Sequence, residues 1–126
     1  MYENILKICY QEDLAGQEDV TSSAIFAEKT NSYQLIAKQN GILCGTQIFS
    51  AAFLYINENT KVEFEFRDGD KINNGDTIAI VSGKIKDILT AERTALNLLS
   101  HLSGIATKTA AFVKATRGKA TILDTR

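Results

Sequence analysis

The sequence predicts an α+β fold, in which an open sheet has its helices on one face. Three observations favour this class. Short helical and strand patterns alternate through the first part of the chain. Charged residues make up 23% and apolar residues 44% of the chain, a balance typical of globular domains. The length of 126 residues suffices for one modest core but not for a β/α barrel, which needs about 250 residues.

The first two helices follow from apolar residues at helical spacing, which predict them over 2–14 and 47–56. Thr46 stands directly before the second helix and is expected to cap it with its hydroxyl oxygen. Strands are predicted where apolar and polar residues alternate or short apolar runs occur, and turns rich in glycine and aspartate separate them. The strand segments are 32–38, 42–45, 61–67 and 77–81.

Composition excludes several classes of function. The formal net charge of −1 provides no basic field for nucleic acid or anionic lipid. No apolar run reaches about 18 residues, so no membrane span is predicted. Cys9 and Cys44 lie far apart without zinc-ligand spacing, and we expect two reduced, buried thiols and no metal site. The acidic N-terminus does not resemble a signal peptide, so a cytoplasmic protein is expected.

The third predicted helix, from 84 to 103, has two distinct faces. An apolar stripe centred on Leu99 is expected to face the core. On the opposite side Arg93, Asn97 and His101 follow one another at i, i+4 spacing and form a polar column. Position alone favours solvated side chains for the arginine and the histidine.

Two features of this region are less ordinary. Glu92 falls near the middle of the apolar stripe, where a carboxylate is costly unless paired, so we expect a buried ion pair. Gly104 stands among small residues that predict close packing against another backbone segment. A separate helix is expected over 107–117, followed by a short apolar strand pattern over 120–124. Because that strand has no parallel neighbours in this chain, we expect it to be frayed, displaced or paired in a non-native way.

Three separated sequence motifs resemble those of the quinolinate phosphoribosyltransferases, also called nicotinate-nucleotide pyrophosphorylases. They are AERTALN at 91–97, SGIAT at 103–107 and DTR at 124–126. The segment 12–22 resembles the pattern Glu-Asp-Leu-Gly-x-Gly-Asp-Val-Thr-Ser of that family, although its two glycines are replaced. In the family, Asp-Thr-Arg is followed by a lysine and a Thr-x-Pro-Gly turn. The resemblance therefore implies that this chain is an N-terminal piece of a longer enzyme.

The resemblance also implies a domain division and a set of site residues. Residues 1–104 would form the N-terminal α+β domain, and 105–126 the linking helix and first strand of a truncated C-terminal α/β barrel. Arg93 would cross a dimer interface and bind a substrate carboxylate in the pocket of the neighbouring subunit. Thr125 and Arg126, at the end of the barrel strand, would belong to the same substrate-binding group. No catalytic residue is expected within this chain.

The activity implied by the resemblance is a step of NAD biosynthesis in the cytoplasm. A homodimer would transfer the phosphoribosyl group of phosphoribosyl pyrophosphate to quinolinate, with decarboxylation, and give nicotinate mononucleotide. Mg²⁺ would bridge pyrophosphate oxygens, held by acidic residues outside this chain. We therefore expect the 126-residue chain alone to be inactive.

Two other functions stay open at this point. A molybdenum-transport-associated relative of the family has the same fold and the same SGIAT motif, but tends to carry Trp-Lys in place of Glu92 and Arg93. A non-catalytic carrier or binding domain is the other alternative, because paired glycine turns also occur in modules that carry lipoyl or biotinyl groups. Such modules present a lysine in a tight hairpin, and no turn of that kind is found in the sequence.

Overall fold

The structure, a computed structural model, describes residues 1–14 and 28–124. Within these residues the chain forms three helices and five strands. In chain order they are α1 (Glu3–Leu14), β1 (Thr30–Ile36), β2 (Gly41–Ile42), α2 (Thr46–Ile56), β3 (Lys61–Phe64), β4 (Lys71–Ile72), β5 (Thr77–Lys84) and α3 (Ile85–Thr116). No helix in this part of the chain is long and apolar enough to span a membrane.

The main sheet is open and antiparallel, with strand order β1-β5-β3. Val81 on the central strand lies opposite Tyr33 on one side and Val62 on the other. The predicted α+β class with an open sheet is confirmed. The prediction of a single sheet is incomplete, because β2 pairs with β4 in a separate two-stranded sheet. This pairing joins segments about 30 residues apart, which a local pattern does not reveal.

The core lies between the main sheet and the helices. Phe49 of α2 is fully buried and packs edge-on against Phe64 of β3, with ring centroids 5.5 Å apart. Helix α1 is attached through Tyr10, whose ring stacks on Tyr55 and whose hydroxyl donates to the carbonyl of Ala52 at 2.8 Å. Burial, followed by the nearby Asp13 carboxylate, raises the pKa of Tyr10, so this hydroxyl stays a neutral donor.

Helix α3 is continuous over 32 residues, so the predicted break between 103 and 107 is wrong. Two hydroxyls at the predicted break hold the helix against β2 and the residues that follow it. Ser103 Oγ accepts from the Cys44 N–H at 3.0 Å, and Thr107 Oγ1 accepts from the Ile42 N–H at 2.8 Å. The cost of a helical glycine, about 1 kcal/mol, is offset by these contacts. The helix thus passes through the predicted domain boundary at 104/105.

The close packing expected at Gly104 is found elsewhere. A Cβ added at Gly104 would meet nothing within 4 Å, whereas at Gly41 it would lie 2.8 Å from Thr107 Oγ1. The small residue that allows helix and strand to approach therefore belongs to β2. The SGIAT motif contributes the hydroxyls of Ser103 and Thr107 to this contact, whereas its glycine takes no part in it.

The start of α2 also differs from the prediction, because Thr46 is the first helical residue and does not cap the helix. Gly45 occupies the capping position with φ 103°, a left-handed conformation that favours glycine. Asp68 Oδ1 accepts from the N–H groups of Gly45 at 3.0 Å and Thr46 at 2.9 Å. Partial burial acts to raise the pKa of Asp68, but these hydrogen bonds outweigh it and the pKa is lowered.

After α3 ends, residues 121–124 have no regular secondary structure, as expected for the strand pattern over 120–124 in the absence of partner strands. A single strand without hydrogen-bonded neighbours is not stable, and the part of the chain that the structure describes provides none for it. The two cysteines are free thiols, as predicted, but both are half-buried instead of fully buried.

Candidate functional site

Arg93 lies in the first half of α3, on a helix whose backbone is fixed by the core. Its neighbours Ala91, Thr94 and Ala95 are buried, while the arginine itself is exposed. The ion pair found among residues 1–14 and 28–124 joins Lys84 to Glu28, so no described carboxylate neutralises Arg93. The structure thus presents a permanently charged, planar donor from a rigid support.

The polar column predicted on α3 is present. Arg93, Asn97 and His101 are all exposed, and they stand on successive turns of one helix face. None of the hydrogen bonds described within residues 1–14 and 28–124 involves these side chains. Among the residues that the structure describes, nothing occupies their donors and acceptors.

Thr94 and Asp13 were not identified as site residues from the sequence. Thr94 is only 3% exposed, and its hydroxyl donates to Asp13 Oδ2 at 2.6 Å. This bond joins the turn that carries Arg93 to the last turn of α1, across 81 positions in sequence. The sequence did contain a signal for both residues, since Asp13 lies in the family-like segment 12–22 and Thr94 in the family-like motif 91–97.

Glu92 is exposed, so the predicted buried ion pair is wrong. The buried face of α3 includes Ala91 and Thr94, which shifts its centre away from Glu92. The glutamate instead lies at the edge of a groove of about 190 Å³ between α3 and the main sheet. This groove is mostly apolar, and its lining includes Tyr33, Leu35, Phe49, Phe53, Leu89 and Leu96.

The other two predicted site residues, Thr125 and Arg126, lie outside the described residues. The segment 15–27, which includes most of the family-like segment 12–22, lies outside them as well. The structure therefore places Arg93 but does not bring the three together. In the described part of the chain no group of three or more His, Cys, Asp or Glu side chains could hold a metal ion. The residues present there do not fit a Mg²⁺ site.

Comparison with known proteins identifies the family. The family model described as "Quinolinate phosphoribosyl transferase, N-terminal domain" matches residues 19–103. A probable nicotinate-nucleotide pyrophosphorylase [carboxylating] of Bacillus subtilis is 36% identical over 107 residues, which are 85% of this chain and 37% of that protein. The region 19–103 that the family model matches contains the whole first half of α3 and therefore Arg93.

Solved structures agree with the sequence comparison. NadC from Streptococcus pyogenes is 37% identical with a TM-score of 0.85, over 90% of this chain and 41% of that one. The nicotinate-nucleotide pyrophosphorylase from Francisella tularensis is 29% identical with a TM-score of 0.90, over 98% and 44%. The chain thus spans about two-fifths of the length of these relatives. It belongs to the quinolinate phosphoribosyltransferase family and has the fold of that family's N-terminal domain.

Proposed function

We propose that this chain provides the N-terminal domain of an enzyme that joins quinolinate to phosphoribosyl pyrophosphate. The product would be nicotinate mononucleotide, formed with decarboxylation as a step of NAD biosynthesis. The observation that carries the proposal is the family match over 19–103, together with an exposed Arg93 on α3 that no carboxylate of residues 1–14 and 28–124 neutralises. The relatives named above are pyrophosphorylases or NadC proteins, which favours this function over the molybdenum-associated alternative.

Arg93 would bind one carboxylate of quinolinate. Two parallel N–H donors of a guanidinium match the two oxygens of a carboxylate, and a charged pair of this kind is stronger than a neutral hydrogen bond. Because the helix backbone at Arg93 is fixed by the core, the side chain can extend from its own domain without loss of packing. The pocket that it enters would belong to a second subunit of a homodimer.

Thr125 and Arg126 would complete the quinolinate-binding group from the barrel side. Basic side chains around a dicarboxylate neutralise its charge and stabilise the charge that develops during transfer. Mg²⁺ bound with the pyrophosphate is part of the proposal, but it would need ligands from outside the described residues. A cytoplasmic location is proposed with the activity.

The test joins this chain to the barrel of the Bacillus subtilis relative, in place of that protein's own N-terminal domain. Folded chimeric protein should form nicotinate mononucleotide from quinolinate, phosphoribosyl pyrophosphate and magnesium. The 126-residue chain alone should form none. A chimera that folds and dimerises but shows no transfer, or transfer by the chain alone, would contradict the proposal.

A further inference from the structure

Helix α3 binds one edge of the segment 42–44 in the way that a neighbouring strand would. The N–H of Ile42 donates to Thr107 Oγ1 at 2.8 Å, and the N–H of Cys44 donates to Ser103 Oγ at 3.0 Å. The two hydroxyls are four helical residues apart, a rise of about 6 Å. Alternate residues of a strand are about 6.6 Å apart, so the two spacings match.

This hydroxyl pair, Ser103 and Thr107, is itself held in place. Thr107 Oγ1 also donates to the carbonyl of Ser103 at 2.7 Å, and Ser103 Oγ also donates to the carbonyl of Cys44 at 3.1 Å. Next to the segment, a Cβ added at Gly45 would lie 2.8 Å from Leu102 Cδ1. The helix therefore fits closely against this segment, and both hydroxyls are saturated with hydrogen bonds.

Gly104 lies between the two hydroxyls and is the point at which α3 bends most easily. A glycine in a helix interior costs about 1 kcal/mol relative to alanine, and sharp kinks occur where glycine and serine are adjacent. Close packing does not require glycine here, because an added Cβ would meet nothing within 4 Å. The helix nevertheless continues through this point, with the hydroxyl pair bound to the domain on either side of it.

The hydroxyl pair stands where α3 leaves the core. Ile88, Ala95 and Leu99 are buried before this point, whereas residues 108–115 are exposed after it. Within the part of the chain that the structure describes, Thr107 makes the last hydrogen bond from α3 to another segment. The direction of the helix beyond Gly104 is therefore set at the hydroxyl pair.

A small bend at Gly104 would move the end of the helix far. Thr116, the last helical residue, lies about 18 Å further along α3. A kink of about 20° would displace it by about 6 Å. Because this is about twice the length of a hydrogen bond, whatever follows α3 would lose any contact whose geometry depends on the domain.

We propose that Ser103 and Thr107 are positioning residues for the proposed transfer, because they fix the direction in which α3 leads from the domain to the barrel. The inference rests on the proposed function in that a barrel follows α3 and binds quinolinate together with Arg93. Neither hydroxyl touches a substrate. The pair acts through the helix and keeps barrel and domain in the relative placement in which Arg93 and a barrel pocket meet on one quinolinate.

The direction of α3 is measured in the 126-residue chain itself. Spin labels are attached at Glu63 on the sheet and at Lys114 on the helix, both of which are exposed. Cys9 and Cys44 are replaced by alanine so that no other thiol is labelled. Dilution with unlabelled chain restricts the measured distances to pairs within one molecule.

The chain with an intact hydroxyl pair should give one narrow distribution of distances. Ser103→Ala combined with Thr107→Val should broaden it or shift it by several ångströms. Adding Gly104→Ala should make it narrow again, because alanine stiffens the helix at its weakest point. Thr109→Val is the matched control, since its hydroxyl bonds only the Ile105 carbonyl of the same helix, at 2.9 Å, and its loss should change nothing.

Kinetics of the chimera with the Bacillus subtilis barrel test the effect on the reaction. Loss of both hydroxyls should raise the KM for quinolinate roughly tenfold or more, and leave the KM for phosphoribosyl pyrophosphate within about twofold. In an Arg93→Ala background the same loss should have no further effect on quinolinate, because the contact that it disturbs is already absent. Thr107→Ser keeps the hydroxyl and should retain the wild-type values.

Two results would overturn the inference. One is a distance distribution that stays unchanged when both hydroxyls are lost, or when Thr107→Val alone is measured because the double variant does not fold. The other is an effect on quinolinate that persists at full size in the Arg93→Ala background. An inactive wild-type chimera would instead contradict the proposed function, and the spin-label distances would still decide whether the hydroxyl pair directs α3.

Discussion

The hydroxyl of Thr94 donates a 2.6 Å hydrogen bond to the carboxylate of Asp13, and this bond attaches α1 to the turn that carries Arg93. The threonine is buried and the aspartate is exposed. The family-like segments 12–22 and 91–97, which lie far apart in sequence, are therefore in contact through this bond. Their contact explains why a polar residue stands on the core side of α3.

Replacing Thr94 tests the strength of this attachment. Thr94→Val keeps the volume but removes the donor, so the free energy of unfolding should fall by about 1–2 kcal/mol. The loss stays modest because the exposed Asp13 carboxylate can return to water. Thr94→Ser keeps the hydroxyl but loses a buried methyl group worth about 1 kcal/mol, so urea unfolding compares each variant with wild type. A Thr94→Val variant as stable as wild type would show that the hydrogen bond contributes nothing.

Two glycines should respond in opposite directions to the same substitution. Gly41→Ala places a Cβ 2.8 Å from Thr107 Oγ1 and should lower the free energy of unfolding by about 1–3 kcal/mol. Gly104→Ala meets nothing within 4 Å in a helix interior and should raise it by about 0.5–1 kcal/mol. Thermal unfolding of both variants checks the pair. A change of the same sign in both would contradict the assignment of the close contact to β2.

The carboxylate of Asp68 should make the stability of the start of α2 depend on pH. Its hydrogen bonds to Gly45 and Thr46 should contribute about 1 kcal/mol, as a helix cap does. Because its folded pKa is lowered, the contribution is present above the unfolded value of about 4 and is lost as pH falls through the folded pKa.

Comparison of wild type with Asp68→Ala tests this dependence. The difference in their free energies of unfolding should be constant near neutral pH and should shrink below about pH 4. The other carboxylates are present in both proteins, so their titration cancels in the difference. A difference that stays unchanged to pH 2 would mean that the cap does not depend on the charge.

Elements with a local signal were predictable, and contacts between distant segments were not. The alternation that begins at Lys61 and the apolar spacing of α2 need no partner to be recognised. Helix α2 was predicted to within one residue at each end, whereas β3 begins as predicted but ends at Phe64, before the predicted end at 67. The break placed between 103 and 107 was wrong because Ser103 and Thr107 are held by the segment 42–44, a contact that no local pattern contains.

The candidate site was predictable in part for the same reason. The polar column follows from helix periodicity, so the exposure of Arg93 was correctly expected. The burial of Glu92 was not, because its position was judged from the apolar residues of one helix. The contribution of Ala91 and Thr94 to the buried face depends on how α1 and α2 pack against that helix.

The role proposed for Arg93 is tested in the chimera with the barrel of the Bacillus subtilis relative. Arg93→Ala should lose one charge-assisted contact worth about 1.5–3 kcal/mol, or roughly ten- to hundredfold in quinolinate affinity. Stability should change little because the side chain is exposed. Arg93→Lys should recover only part, since a point charge cannot form the two parallel hydrogen bonds. Lys108→Ala, which removes another exposed cation of α3, should leave quinolinate binding unchanged.

Mixed dimers distinguish a role in the neighbouring subunit from a role in the same one. Subunits with Arg93→Ala are combined with subunits that carry an inactivating substitution in the barrel. If Arg93 enters the partner's pocket, one of the two pockets in the mixed dimer combines an intact arginine with an intact barrel, and part of the activity should return. If Arg93 serves its own subunit, neither subunit of the mixed dimer has both an intact arginine and an intact barrel. No pocket is then complete, and the activity stays absent. Verified heterodimers of two folded variants that show no restoration would therefore exclude the proposed crossing of the interface.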